Sequence, residues 1–230
     1  MKIIAIIPAR GGSKGFPGKN IANFMEKPLI SWPINAALSS EYISDVYVST
    51  DAIEIAEVAK KYGAKVPWLR PEHLASDDSL RSEAIIHALD NLPDCDIFVY
   101  LEPTSPLTDS LDIDKAISTL IKNERAESCV TVTEMFQYHP SYCVRKDSKD
   151  FITPWHLKTF EDVPINRQLL EPAYFFDGSL YISYSKSFKT RKEFYHDRTI
   201  AIELDSYKHI EIDDIKDLKI AEEAYEQKIK

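Results

Sequence analysis

Hydrophobic positions in this chain come in short blocks whose period changes along the sequence. Ile3 to Ile7 is apolar at every position, the pattern of a strand covered on both faces. Spacing then turns helical around Leu29 to Ser39, where Pro33 is expected to delay the start or kink the helix. A strand at Val46 to Ser49 follows, then a helix from Ala52 to Tyr62 closed by Gly63. The same alternation continues through a short strand at Lys65 to Trp68, a helix at Leu80 to Asn91 and a strand at Ile97 to Leu101. A helix at Leu111 to Lys122 and a strand at Ser128 to Thr133 complete it. Doubly apolar strands alternating with amphipathic helices predict an α/β fold: a mainly parallel, doubly wound, Rossmann-like sheet with helices on both faces.

After Thr133 the pattern breaks into short, proline-containing, aromatic-rich stretches that read as hairpins and long loops. Tyr138, Tyr142, Phe151, Trp155, Phe160, Tyr174, Phe175 and Phe176 fall here, so residues of about 136–178 are expected to form an arm inserted into the core fold. Apolar periodicity returns at Ser179 to Tyr184, Ile200 to Ile202 and Ile210 to Ile212, with a closing helix from about Asp214 to Lys228. No repeat or linker interrupts residues 1–230, which read as one domain carrying the arm.

Composition narrows the functional classes. At 44% hydrophobic and 28% charged residues the chain is an ordinary globular one. Its 28 Lys and Arg against 37 Asp and Glu give a formal charge of −9, which argues against a nucleic-acid backbone as partner. An anionic ligand must therefore be held by a local basic site. Cys95, Cys129 and Cys143 show no metal or disulfide spacing and predict a reducing compartment, Cys129 and Cys143 as buried small hydrophobes. The apolar start is too short for a signal segment and no stretch is long enough to span a membrane, so a cytoplasmic protein is expected.

The sharpest chemical signal is glycine. Of six glycines in the chain, Gly11, Gly12, Gly15 and Gly18 follow directly on the first strand, interleaved with Arg10, Lys14 and Lys19. Backbone N–H groups able to approach closely, together with three cations at the carboxyl end of a parallel strand, suit a polyphosphate. Gly12 to Gly18 leaves five intervening residues and Lys19 is followed by Asn20, so the loop is not a P-loop. It also lacks the G-x-G-x-x-G order of dinucleotide sites. The six histidines show neither metal-ligand spacing nor a partnered nucleophile.

The run Ile7-Pro8-Ala9-Arg10-Gly11-Gly12-Ser13-Lys14-Gly15, ending at Lys19-Asn20, closely resembles the signature of the acylneuraminate cytidylyltransferases, the CMP-sialic-acid synthetase family. Val48-Ser49-Thr50-Asp51, Leu69-Arg70-Pro71, Leu74-Ala75-Ser76-Asp77, Glu102-Pro103-Thr104-Ser105-Pro106-Leu107 and Asn166-Arg167-Gln168 resemble further family segments in order. The resemblance implies transfer of CMP from CTP to a nonulosonic acid, with Mg²⁺ as cofactor and pyrophosphate as second product. In such a reaction charge builds on the leaving pyrophosphate, so positioning and electrostatic stabilisation dominate, and Arg10 and Lys19 are the expected catalytic cations. By the same resemblance Ser13, Lys14 and Asn20 surround the triphosphate and ribose within the Gly11-Gly12 loop. The backbone at Ala9 and the Arg70 and Ser76 segments then border the cytidine.

Mg²⁺ takes one or two carboxylates plus phosphate oxygens and water. Glu211 and Asp213 stand two apart, on one face if the segment is a strand, and resemble the family's late acidic pair, in which both positions tend to be Asp. The competing reading makes Asp213 or Asp214 the cap of the closing helix. Glu102, at the end of a central strand, is the other carboxylate candidate for the metal; because it stands where sialic-acid enzymes often have Gln, the alternative is that it contacts the sugar. Arg167 is expected to take the sugar carboxylate bidentately, beside Gln168. Phe175-Phe176-Asp177-Gly178-Ser179-Leu180-Tyr181 replaces an Arg-x-Asn-Gly-Ala-Ile-Tyr pattern, with Asp177 keeping a polar group for the sugar. Sialic, legionaminic and pseudaminic acids all stay open as substrates. The resemblance further implies a homodimer in which the arm of one subunit reaches the sugar site of the other. A CMP-Kdo synthetase or other sugar nucleotidyltransferase, and a non-catalytic CTP-binding module, are the alternatives.

Overall fold

The computed structural model describes residues 1–136 and 138–229, the side chains of Arg167 and Ile229 excepted. Strand β1 (Ile3–Pro8) leads through a loop and a small hairpin, β2 (Asn23–Phe24) and β3 (Lys27–Pro28), into helix α1 (Ser31–Leu38). Pro33 sits in the first turn of that helix, where a missing N–H costs nothing, and the helix starts at Ser31, after the Leu29 expected from the spacing. β4 (Asp45–Ser49), α2 (Ile53–Lys61), α3 (Arg81–Asn91), β5 (Ile97–Leu101), α4 (Ser110–Lys122) and β6 (Ser128–Glu134) follow in βα alternation. The arm carries a hairpin, β7 (Val144–Lys146) and β8 (Ile152–Pro154), among short 3₁₀ turns. β9 (Tyr174–Tyr184), α5 (Ser185–Arg191), β10 (Thr199–Glu203) and α6 (Ile215–Ile229) close the chain.

The main sheet has the order β10-β6-β9-β5-β1-β4. β1 pairs in parallel with β4 and β5, and β10 with β6, while β9 runs antiparallel between β5 and β6. Alternation along the strands feeds two cores. Ile3, Ala5, Ile7, Val99 and Leu101 face Ile34 of α1, Ile55 and Ala59 of α2, and Ile113, Ile117 and Leu120 of α4. Ile4, Ile6, Phe98, Tyr100 and Tyr181 face Ile85, Ala88 and Leu89 of α3 and Phe188 of α5. Each fully buried Ile, Leu, Val or Phe among them contributes about 1.5–3 kcal/mol, which makes the sheet a rigid base for the loops at its carboxyl edge.

Four expectations need correction. Lys65 exchanges hydrogen bonds with Val46 and Val48 of β4, but Pro67 has no N–H to continue the ladder, and only an isolated bridge forms where a strand from 65 to 68 is expected. Ile210 to Ile212 is not a strand either. Its one ladder-like bond runs from Ile212 N–H to the Thr104 carbonyl, and Ile212 is buried instead in a third core with Phe24, Leu29, Leu107 and Leu218. The returning strand begins five residues early, at Tyr174, because its first half pairs with the end of β6. Cys129 is buried as expected, but Cys143 is exposed on the arm next to β7. Among the described residues no helix is long and apolar enough to cross a membrane.

Exposed aromatic surface is concentrated in the arm: Phe136, Tyr138, Phe151, Trp155, Phe160, Tyr174 and Phe176 all stand at least half out in solvent or nearly so.

Candidate active site

The loop after β1 is built by contacts that reach far along the chain. Ala9 N–H donates to the Ser49 carbonyl, extending the β1–β4 pairing by one residue. Gly11 N–H donates to Asp51 Oδ1 at 2.9 Å, and a Cβ on Gly11 would lie 2.9 Å from Ala52 Cβ, so only glycine fits. Gly18, at φ +70°, turns the chain into the 3₁₀ turn Lys19–Ile21. In that turn Asn20 is buried, its amide donates to the Arg10 carbonyl at 2.9 Å, and its Oδ1 is left without a partner.

Strain at position 11 is testable against a control. A Cβ clash with a neighbouring Cβ cannot be relieved by a side-chain rotation, and overpacking of this kind costs about 1–3 kcal/mol. Gly11→Ala is expected to lower the melting temperature and to displace the loop, cutting kcat/KM by about tenfold or more. Gly12 has open space where its Cβ would go, so Gly12→Ala should leave stability unchanged. Equal melting temperatures for the two variants would contradict this account of the loop.

Around the loop the charged side chains form a chain of alternating sign. Arg10 Nη1 meets Asp77 Oδ1 at 2.7 Å, and Lys14 pairs with the other oxygen of the same carboxylate. These two cations, Lys14 first, hold the Asp77 carboxyl below its ordinary range. Lys19 Nζ, with only 14% of its side chain exposed, meets Asp213 Oδ1 at 2.8 Å. Arg70 is buried, its Nη2 3.9 Å from Asp51 Oδ1, and burial lowers its pKa. Arg81 lies 3.5 Å from Glu102 Oε1. Burial pushes the Glu102 carboxyl up to about 7 against the pull of Arg81, with Glu211 adding to the rise. Burial, then Asp213, raises Glu211 as well.

Two adjoining hollows open on this ridge. One, of about 400 Å³, is lined by Arg10, Ser13, Lys14, Lys19, Asn20 and Asp213 among others. The second, of about 360 Å³, is lined by Arg70, Ser76, Asp77, Arg81 and Tyr100. Pro8, Arg10, Glu102 and Glu211 belong to both, so the hollows meet at the end of β1.

Most of the site residues expected from the sequence therefore converge. Arg10, Ser13, Lys14, Lys19, Asn20, Glu102, Glu211 and Asp213 line the first hollow, and Arg70 and Ser76 the second, while Ala9, Gly11 and Gly12 shape the loop. Capping of α6 falls to Asp214, whose Oδ1 accepts from the N–H groups of Lys216 and Asp217. That leaves the Asp213 carboxylate, 73% exposed, to the hollow. Glu211 and Asp213 share the hollow without the strand expected to align them.

Asp177 lines neither hollow. It is buried in β9 beside the bulge between Val130 and Val132, where its Oδ1 accepts from Thr131 Oγ1 and Ser179 N–H, so it shapes the strand. Gln168 is exposed on an arm turn, Arg167–Leu169, and lines neither hollow; the Arg167 side chain lies outside the described residues. Sequence reading assigned no role to Asp51, Asp77, Arg81 or Tyr181. Asp51 and Asp77 fall inside the segments quoted for the family resemblance and are recoverable from them; Arg81, a polar residue at a helix start, carries no periodic signal.

A glycine and cation loop at the carboxyl edge of a doubly wound sheet, facing paired carboxylates, defines a nucleotidyltransferase-type site. The chain belongs to the cytidylyltransferase family, whose model matches residues 4–230. It is 38% identical to CMP-N,N'-diacetyllegionaminic acid synthase of Legionella pneumophila, over 98% of this chain and 97% of that one. It is 34% identical to N-acylneuraminate cytidylyltransferase of Escherichia coli, over 96% of this chain and 51% of that longer one. Among solved structures it is similar in fold to CMP:2-keto-3-deoxy-manno-octonic acid synthetase complexed with CTP, at a TM-score of 0.74 and 14% identity over 99% of this chain and 100% of that one.

Proposed function

We propose that this chain transfers CMP from CTP to the anomeric hydroxyl of a nonulosonic acid of the sialic, legionaminic or pseudaminic type. The observation that carries the reading is Arg10, Lys14 and Lys19 converging on a hollow continuous with the one that Arg70 and Ser76 line. In the reaction the sugar's anomeric oxygen attacks the α-phosphorus, the bond to the β-phosphate oxygen breaks, and pyrophosphate leaves while the hydroxyl proton is released. The barrier is lowered chiefly by in-line positioning and by cations set where negative charge grows. Asp77 and Asp213 pair with those cations, and the triphosphate would take their place. The buried Asn20 fixes the Arg10 backbone and offers its free Oδ1 to the ribose.

Glu211 and Asp213 supply two carboxylates at the mouth of the same hollow, a donor set that suits Mg²⁺ completed by phosphate oxygens and water. When bound there, the ion would neutralise charge on the phosphates. The arm, with its exposed rings, suits a homodimer interface, and we assign Arg167 and Gln168 to the partner's sugar site. The substrate CTP and the three unpaired cysteines suit a cytoplasmic enzyme.

A coupled pyrophosphate-release assay with CTP and a panel of acidic 2-ulosonic sugars, Kdo included, tests the reading. Turnover is expected with a nonulosonic acid and to depend on a divalent cation. Preference for Kdo, or for a sugar 1-phosphate, would replace the proposed substrate, and CTP binding in calorimetry without turnover on any sugar would make the chain a binding module.

A further inference from the structure

The two hollows on the ridge are given to CTP, and the acceptor needs a place for the end of the molecule that does not react. A third hollow, of about 440 Å³, opens between the root of the arm and the turn that precedes Glu211. The rings of Phe136, Tyr138, Phe175, Tyr207 and His209 line it together with Met135. We propose that this hollow receives the end of the acceptor remote from its anomeric carbon, and that it selects 9-deoxy nonulosonic acids bearing an acylamino group at C7 over those ending in a free glycerol tail. This rests on the reading above and narrows its acceptor to the legionaminic and pseudaminic types.

Position is the first argument. Glu211 lines both CTP hollows, so it marks where the α-phosphorus and the anomeric hydroxyl would meet. Two stretches of chain lead from that point to the third hollow. His209 stands two residues before Glu211. Phe175 stands three residues before Gly178 in β9, and a Cβ on Gly178 would lie 3.7 Å from Glu211 Oε2. The far ends of the two stretches meet through the Phe175 and His209 rings, whose centres are 5.4 Å apart at an interplanar angle of 89°. At about 3.3 Å of extended chain per residue, the stretches cover at most about 7 and 10 Å, the reach of a sugar ring with its three-carbon tail and substituent.

Chemistry is the second. No Lys or Arg is among the residues lining the hollow, so it does not suit a phosphate or the sugar carboxylate. A glycerol tail brings three hydroxyls, each of which loses water among ring faces and needs a partner there. An acetamido group at C7 and a methyl at C9 instead offer two methyl groups to the rings, leaving one amide and one hydroxyl to satisfy. The wall can satisfy them. Glu134, half-buried at the end of β6, lines the hollow, and no ion pair or hydrogen bond from another described residue reaches its carboxylate, which is free to accept an amide N–H. Ser206 and the Tyr138 phenol can donate to a C=O. His209 Nδ1, shielded from solvent, is also without a partner among the described residues.

The test measures pyrophosphate release by wild type, Phe175→Ala and Phe136→Ala on N,N'-diacetyllegionaminic acid, its pseudaminic isomer and N-acetylneuraminic acid, beside a thermal melt. Phe136 stands 67% exposed, so its replacement leaves the fold intact even if that of Phe175 does not. Wild type should favour the better diacetamido sugar over N-acetylneuraminic acid by about 10- to 100-fold in kcat/KM, the range over which an apolar pocket discriminates a methyl or a hydroxyl. Each folded variant should lose most of that preference through a higher KM for the diacetamido sugar, with the KM for CTP within about twofold of wild type. Turnover of nonulosonic acids without the preference, or a preference that survives in every folded variant, overturns the pocket and leaves the transfer reading standing. Equal losses on all three sugars also overturn it and give the hollow to the partner's arm. No turnover on any nonulosonic acid overturns the transfer reading itself, and the pocket with it.

Discussion

Lys19→Ala should lower kcat/KM for CMP transfer by roughly 10²- to 10³-fold, the loss expected when a preorganised charge at a developing anion is removed. Lys19 is the most enclosed of the loop cations and the only one paired with the late acidic segment, through Asp213 at 2.8 Å. Gly18 and the 3₁₀ turn fix its backbone, so little reorganisation precedes its action on a triphosphate. Arg10→Ala should produce a loss of the same order, and the double variant less than the product of the two, because both act on one leaving group. Neither change should unfold the protein: the Asp213 and Asp77 partners are largely or substantially solvent-exposed, and such ion pairs are worth at most about 1 kcal/mol. Pyrophosphate release read beside a thermal melt separates the two effects. Turnover within about threefold of wild type for both variants, on an intact fold, would remove the loop from the chemistry.

How much of this site could be read in advance depended on sequence distance. The loop cations, Gly11 and Asn20 stand within one short segment after an unbroken apolar strand, so their convergence needs only β1 to end where its hydrophobic run ends. Arg70, Ser76 and Asp213 are reachable through resemblance, but Asp77, the acid between Arg10 and Lys14, has no assigned role, since it meets them only after a crossover through β4 and α2. The Ile210 to Ile212 run looks like a strand because its alternation buries Ile212. That burial is satisfied by Leu218 and Leu107 instead of by a sheet neighbour. Asp177 is expected at the sugar only through the family segment that contains it; Thr131 and Ser179 N–H occupy its Oδ1 and fold the carboxylate against β6, contacts that no sequence pattern announces. The direction of β9 was invisible, because a returning strand buried on both faces shows the same composition whether it runs parallel or antiparallel.

The acidic segment is held in place by a second charged cluster, and breaking it should have the largest effect on stability. Lys208 is buried and donates to Asp109 Oδ2 at 2.9 Å and to Asp112 Oδ2 at 2.6 Å. Asp109 also caps α4, accepting from the N–H groups of Leu111 and Asp112. The cluster thus ties the turn before Glu211 and Asp213 to the end of the loop that follows Glu102, alongside the bond from Ile212 N–H to the Thr104 carbonyl. Lys208→Met should cost about 3–5 kcal/mol at pH 7, since it strands the buried Asp112 carboxylate without its counter-ion. Lys228→Met, at the exposed rim of the same cluster, should cost no more than about 1 kcal/mol.

The pH dependence follows from the signs. Burial alone would raise Asp109, but Lys208 and Lys228 outweigh it and hold the carboxyl at about 2, below its ordinary value near 4. A depressed carboxyl gives stability that is full above about pH 4 and lost as pH falls toward 2. In Lys208→Met that contribution largely disappears, while Asp112, already pushed up by burial, can take a proton and relieve its stranded charge. The gap between wild type and variant in urea melts should therefore be widest near neutrality and narrow steadily below pH 4. A gap under about 1 kcal/mol at pH 7, or one that widens in acid, would show that the cluster does not hold this segment.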